Sequence, residues 1–256
     1  MSDAAARWEQ AADRGARGAY ASAALLLDEL MDAGGPWPSL AMSMRASHYR
    51  QIGAIDEALA RDREALALAC DAPSRADALI GLAADAVASA DGAEAAACLV
   101  DARPYADTGW RTRTRFAWVC AEQALLDGRP DDAGRHAQRA LEECLDRSPR
   151  HAAKSRIIMD ASRGALGNAT AVGGELLVAL PVLRAGAWAT LQWPAALVAD
   201  DLIQSGRAAP GLVSQAARIR HEGAEAVRVV AEGLAPGDRH RWRASPAAAR
   251  LLASDG

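Results

Sequence analysis

The stretch "GAIDEALARDREALALACDAPSR", from Gly53 to Arg75, is echoed 75 residues later by "GRPDDAGRHAQRALEECLDRSPR", from Gly128 to Arg150. In both stretches glycine is followed at the same offsets by aspartate, alanine and leucine. Apolar residues recur at helical spacing after each glycine. Because glycine readily adopts the left-handed conformation that ends a preceding helix, each stretch predicts a turn that leads into a helix.

Glycines near predicted helix ends recur every 35 to 39 residues, at Gly18, Gly53, Gly92, Gly128, Gly167 and Gly206. Helical patterns flank both Gly53 and Gly128, so each unit reads as helix, turn, helix. Asp56 and Asp131 are placed to cap the second helix of their units. A period of this length is typical of stacked helical hairpins.

The spacing Gly-x-x-x-x-Ala, with a further alanine seven residues on, resembles the tetratricopeptide repeat; it occurs as Gly53–Ala58–Ala65 and as Gly128–Ala133–Ala140. The resemblance implies that these alanines lie where two antiparallel helices touch. It also implies that the first helices of successive hairpins line a concave groove. We therefore expect an all-α fold, a right-handed tetratricopeptide-like α-solenoid of five to six helical hairpins with closing C-terminal helices.

Composition favours the same fold class. Alanine dominates the apolar half of the sequence and phenylalanine occurs once, so helix formers far outnumber β-branched and aromatic residues. Residues 1–235 are expected to form a single helical-repeat domain. Residues 236–256 are expected to form a polar C-terminal tail that is frayed or loosely helical.

The sequence contains no motif of a hydrolase, a P-loop enzyme or a dinucleotide-binding enzyme. Its histidines are not at metal-ligand spacing, and its four cysteines form no CxxC pair. No catalytic residue, metal or cofactor is therefore predicted. The aspartates Asp85 and Asp160, which correspond across the 75-residue echo, are expected to meet an arginine or a backbone amide at a helix contact rather than to do acid–base chemistry.

Charge and hydropathy restrict the partners. A formal net charge of -4 argues against a nucleic-acid partner. The longest clean apolar run, Leu176 to Leu183, is too short to span a membrane. The charged N-terminal stretch lacks the apolar core of a signal peptide, so a cytoplasmic location is expected. The oligomeric state is not predicted.

The groove that the resemblance implies contains the predicted partner-binding residues, namely Ser47, Arg50, Arg115, Trp118, Glu122, Lys154 and Trp193. A basic segment, Arg147 to Lys154, also begins a predicted helix after Pro149, where the helix dipole attracts a carboxylate or a phosphate. Cationic and aromatic side chains on a concave wall suit an extended partner with acidic side chains or a free C-terminal carboxylate.

The leading interpretation is a non-enzymatic scaffold that binds a protein or peptide partner in this groove. An alternative is a regulatory helical-repeat domain that senses a small ligand, which a closed, deep cavity in place of an open groove would favour. An enzyme that uses none of the familiar motifs is the third possibility. Fold resemblance alone does not decide among them.

Overall fold

Helix-forming residues separated by glycine turns produce an all-α protein. The structure, a computed structural model, describes residues 3–167 and 169–253. Within these ranges the chain forms fifteen α-helices and a short 3-10 turn at Arg103–Tyr105, and its β-structure is confined to an isolated bridge between Val172 and Ala208. The predicted all-α class is confirmed.

The helices are α1 (Asp3–Ala16), α2 (Tyr20–Glu29), α3 (Trp37–Gln51), α4 (Ile55–Leu68), α5 (Ala72–Ala88), α6 (Gly92–Ala102), α7 (Trp110–Leu126), α8 (Pro130–Cys144), α9 (Pro149–Ala165), α10 (Gly174–Gly186), α11 (Ala189–Gln204), α12 (Pro210–Val213), α13 (Ala216–Glu232), α14 (Pro236–Ala244) and α15 (Pro246–Ala253).

Six helical hairpins follow one another along the described chain. The helices α1 to α10 pair consecutively, and α11 packs against α13 across the four-residue helix α12. Neighbouring hairpins also touch, for example through α4 with α5 and α8 with α9. This stacking makes the fold a tetratricopeptide-like α-solenoid, as predicted.

Small side chains at the hairpin contacts allow the helices to approach closely. The side chains of Ala58, Ala65, Ala133 and Ala140 are all fully buried, as the resemblance implies. Ala137, where the repeat family places an aromatic residue, is fully buried too. Alanine therefore takes the place of larger side chains along this helix contact, and a larger side chain would overpack the contact.

The two best-matched turns have the predicted backbone. Gly53 and Gly128 adopt φ of 78° and 70°. Asp56 and Asp131, however, lie in the first turn of α4 and α8 rather than at the N-cap. Their carboxylates still stabilise the helix starts, because negative charge is favourable at the positive end of the helix dipole.

We expect the Gly128→Ala variant to unfold about 1 kcal/mol more easily than wild type, because alanine is strained in the left-handed region. Gly134 is the matched control, since it lies within α8 and an added Cβ there meets no atom within 4 Å. Gly134→Ala should stabilise by up to about 1 kcal/mol through helix propensity. Urea unfolding measures both changes, and shifts of the same sign would contradict the turn assignment.

The C-terminal residues differ from the expected frayed tail. Helices α14 and α15 cover most of the segment, and Trp242 between arginines is only 1% exposed. Its indole N–H donates to the carbonyl oxygen of Val227 at 3.0 Å, and its ring meets that of Trp193 at 5.4 Å between centroids. The buried side chain of Trp242 thus anchors the C-terminal helices to the fold, although the composition of this segment is largely polar. Residues 254–256 lie outside the described residues.

The two ends of the solenoid meet. The amide of Ala21 donates to the carbonyl oxygen of Gly233 at 2.8 Å, and the Thr190 hydroxyl donates to the carbonyl oxygen of Ala16 at 2.9 Å. Tyr20 shares a core with Val227 and Val230. We call the contact between residues 18–21 and 230–233 the seam. It closes the stack of hairpins into a ring, which the local sequence pattern does not predict.

Candidate ligand-binding cavity

A cavity of about 660 Å³ lies at the centre of the ring. The first helix of each hairpin contributes to its wall, namely α1, α3, α5, α7, α9 and α11. All seven residues predicted to bind a partner line it: Ser47, Arg50, Arg115, Trp118, Glu122, Lys154 and Trp193. The structure therefore brings the predicted set together around one cavity, and their role in binding stays a prediction.

Positive charge dominates the cavity wall. Six basic side chains line it, Arg50, Arg111, Arg115, Arg147, Arg150 and Lys154, against three acidic ones, Glu9, Asp77 and Glu122. The whole protein carries a formal charge of -4. The cavity is thus a cationic interior in an acidic protein.

Arg50 anchors a buried ionic network behind the wall. Its guanidinium donates to Asp85 at 2.7 Å, to Asp62 at 2.6 Å and to the carbonyl oxygen of Gly81 at 3.1 Å. Burial raises the pKa of both carboxyl groups, although Arg50 acts in the opposite direction. One guanidinium faces two buried carboxyl groups, and the repulsion between the carboxylates also disfavours ionisation of both together.

The aspartates that the sequence singled out have structural partners. Asp85 pairs with Arg50, as described, and Asp160 accepts a hydrogen bond from the amide of Leu176 at 2.7 Å. Both are buried where helices meet. The prediction of an arginine or a backbone amide as partner is confirmed at both positions.

Arg115 lies in the cavity wall with its side chain only 15% exposed. Its guanidinium pairs with Asp77 of α5, and Arg111 reaches the same carboxylate at 3.2 Å. The two arginines hold the pKa of Asp77 below its usual range despite burial. Arg115 is therefore part of the folded wall, and its replacement by glutamate would set two negative charges side by side.

Trp118 also forms part of the wall rather than an exposed anchor. Only 7% of it is exposed, and its indole N–H donates to the Ser155 hydroxyl at 2.8 Å. The ammonium of Lys154 sits 4.5 Å from its ring centroid and also pairs with Glu122 at 3.2 Å. The His151 ring stacks against it at 5.2 Å.

Several polar atoms of cavity-lining residues are buried without a hydrogen-bond partner in the described structure. They are Nε1 of Trp8, Nε1 of Trp193, Nε of Arg150 and the hydroxyl of Ser43. The three nitrogens can only donate. Buried donors are nearly always paired in native proteins, so these nitrogens are placed to take an acceptor from water or from a ligand.

Sequence reasoning missed part of this set. Trp8 lies on α1, where the repeat pattern is weak, and only the closure of the ring brings it to the cavity. Arg150 falls within the basic segment Arg147 to Lys154 at the start of α9, where a helix-terminus signal was present. Ser148 caps that helix, accepting from the amide of His151.

Two histidines of the wall are neutral. Burial, reinforced by the charge of Arg150, lowers the pKa of His48 and of His151 to about 3. The His48 ring stacks on Tyr20 with centroids 4.4 Å apart, and Nδ1 of His151 lies 2.8 Å from the Ser148 hydroxyl. Burial is thus the main reason why these imidazoles resist protonation, and the neighbouring cations add to it.

This burial predicts acid sensitivity. In the unfolded chain His48 takes up a proton below about pH 6.5, whereas in the fold it stays neutral down to about pH 3, so stability is lost as pH falls through that window. Between about pH 7.5 and about pH 5, wild type should lose roughly 1–2 kcal/mol more than His48→Gln. Urea unfolding at both pH values measures this. Exposed His240 is the control, and His240→Gln should follow wild type; parallel losses for all three proteins would contradict the assignment.

No family model matches the sequence, and no curated protein matches it significantly. The fold is similar to that in the crystal structure of a Rap protein complexed with competence and sporulation factor. That similarity has a TM-score of 0.64 and 12% sequence identity, and it covers 93% of this chain and 72% of the Rap chain. At this identity the similarity shows the fold, a tetratricopeptide-like α-solenoid.

The described residues contain no cluster of three or more histidine, cysteine or acidic side chains that could hold a metal ion. Nor is any helix within the described ranges both long and apolar enough to cross a membrane.

Proposed function

We propose that this chain is a receptor that encloses a short peptide in the central cavity. The observation that carries the proposal is the set of unpaired N–H donors in a wall rich in tryptophan. An extended peptide supplies carbonyl acceptors along its length, and the indole faces supply apolar contact area. Tryptophan and arginine are the residues that contribute most to binding energy at interfaces.

The size of the cavity restricts the ligand. A volume of about 660 Å³ falls within the range of roughly 300–1,000 Å³ that is usual for pockets that bury small ligands. A folded domain does not fit inside the ring. The proposed partner is therefore a segment of a few residues in extended form. This is a more specific class of ligand than the protein or peptide partner that the sequence suggests.

The Rap structure supports a receptor role by analogy. It is a complex with competence and sporulation factor, so a chain of this fold can hold a separate factor. Because fold does not determine function, the analogy supports the proposal only together with the cavity. Ser47 and Trp193 are the predicted residues that we propose as direct contacts. Trp118 and Arg115 shape the wall.

Selection from a synthetic library of linear hexapeptides with free termini tests the proposal. Wild-type protein should retain a defined subset, read out by mass spectrometry. The variant Ala12→Trp, which fills the cavity from α1, should retain none of it. Ala97→Trp is the matched control, since Ala97 is exposed on α6, and it should behave as wild type. Equal retention by all three proteins, or retention by none, contradicts a peptide receptor.

A small-molecule sensor is the second candidate, and closure of the ring at the seam is the observation that favours it. Native mass spectrometry of the protein purified from its own cells distinguishes the two. A retained non-peptide mass that Ala12→Trp lacks and Ala97→Trp keeps would favour the sensor. A retained peptide mass would favour the receptor.

A further inference from the structure

Arg150 is the cation of the cavity that the fold leaves uncompensated. It is the second residue of α9 and lines the cavity, and its Nε is buried without an acceptor. Among the described residues no carboxylate forms an ion pair with it. Tyr20 and Asp13 act against the lowering of its pKa, but Asp13 forms its ion pair with Arg17, at 3.0 Å.

Each of the other interior cations has a carboxylate partner. Arg50 pairs with Asp62 and Asp85, Arg111 and Arg115 share Asp77, and Lys154 pairs with Glu122. Arg147 is exposed at the cavity rim. Arg150, close to the start of α9, is therefore the interior cation that has no carboxylate partner among the described residues.

Arg150 is partly exposed to the cavity, but its buried Nε has lost its hydration and has no acceptor in return, which is unfavourable for a charged group. Neighbouring positive charges add to the cost, and burial together with Arg111 and Arg115 lowers the pKa of Arg150. The positive end of the α9 dipole points to the same place. A bound anion would give the guanidinium a partner and would itself be stabilised by the neighbouring positive charges.

We infer that the ligand carries a carboxylate, which binds the guanidinium of Arg150 at the start of α9. This inference rests on the proposed function and specifies its ligand. The planar fork of arginine matches a carboxylate with two parallel N–H···O bonds. The C-terminal carboxylate of a peptide and an acidic side chain share this chemistry, so the test separates them.

Three hexapeptide libraries provide the test: one with a free C-terminus and no Asp or Glu, one amidated with Asp and Glu, and one amidated without them. Wild type should retain members of at least one of the first two, which identifies the source of the carboxylate. It should not retain the third. Retention of the third library as strongly as the others would overturn the carboxylate inference while leaving the peptide receptor intact.

Arg150→Gln should weaken binding of a retained peptide by about tenfold or more, because a charge-assisted pair is lost. Its thermal stability should equal or exceed that of wild type, since the variant removes an uncompensated charge. Arg139→Gln, an exposed arginine of α8, is the matched control and should change neither property. Unchanged affinity in Arg150→Gln would overturn the inference.

Titration with acetate tests the anion site at Arg150 independently of peptide binding. In the ¹H–¹⁵N spectrum of wild type, the Nε–H resonance of Arg150, assigned through Arg150→Gln, should shift saturably with sodium acetate and not with sodium chloride of equal ionic strength. The Nε–H resonance of Arg139 should respond equally to both salts. If no peptide binds but this shift is present, the receptor proposal fails and the anion site stands. If the shift is absent, the anion site fails.

Discussion

Arg50→Met is expected to lower the free energy of unfolding by about 3–5 kcal/mol, because it leaves two carboxyl groups buried without their cation. Asp62 and Asp85 are at most 1% exposed, and one carboxylate oxygen of each has no hydrogen-bond partner. Within the described structure, Arg50 is the only arginine whose guanidinium donates hydrogen bonds to both aspartates. Urea unfolding at neutral pH measures the change.

Arg61→Met is the matched control. Arg61 makes a half-exposed ion pair with Glu64 on the same helix, and such pairs contribute little, so the control should stay within about 0.5 kcal/mol of wild type. The penalty in Arg50→Met should also shrink as pH falls toward about 4, since protonation relieves the buried carboxylates. A loss similar to that of Arg61→Met would show that the network is not buried as described.

Gly233→Ala is expected to open the seam and to destabilise the fold by about 2–3 kcal/mol. A Cβ at this position would overlap the carbonyl oxygen of Gly18 and would lie 2.9 Å from Cα of Ala19. These are backbone atoms, which cannot rotate away as a side chain can. Because Trp8 reaches the cavity only through closure, peptide binding should weaken as well.

Gly237→Ala serves as the control, since its added Cβ meets no atom within 4 Å. Urea unfolding gives the stability of both variants, and small-angle X-ray scattering gives their dimensions. Gly233→Ala should show a larger radius of gyration than wild type, and Gly237→Ala should not. Unchanged stability and dimensions in Gly233→Ala would mean that the ring does not close through these residues.

The hairpins could be predicted because their determinants are local. The turn at Gly128 and the buried contact at Ala133 and Ala140 are each specified within a few residues of sequence. The lining of the cavity followed in turn, since the repeat resemblance assigns the first helices to the concave side. All the predicted partner-binding residues line the cavity for this reason.

Closure of the ring could not be predicted in the same way. The hydrogen bond from Thr190 to Ala16 joins residues 174 positions apart, and it depends on how small rotations between hairpins add up. The ionic network at Arg50 could not be predicted for a different reason: Asp62 occupies a position where the repeat family has an aromatic residue, so the repeat pattern gives no partner for it. The burial of Trp242 could not be predicted because the residues around it in the sequence are charged.

The indole N–H resonances of the ¹H–¹⁵N spectrum test most directly the claim that a peptide occupies the cavity. Resonances are assigned through single Trp→Phe variants, and a peptide retained by wild type is then added. The resonances of Trp8 and Trp193, which lack acceptors in the described structure, should shift downfield as they gain hydrogen bonds, whereas that of Trp242, already bonded to Val227, should stay in place. Unmoved Trp8 and Trp193 resonances at saturation would contradict binding in the cavity.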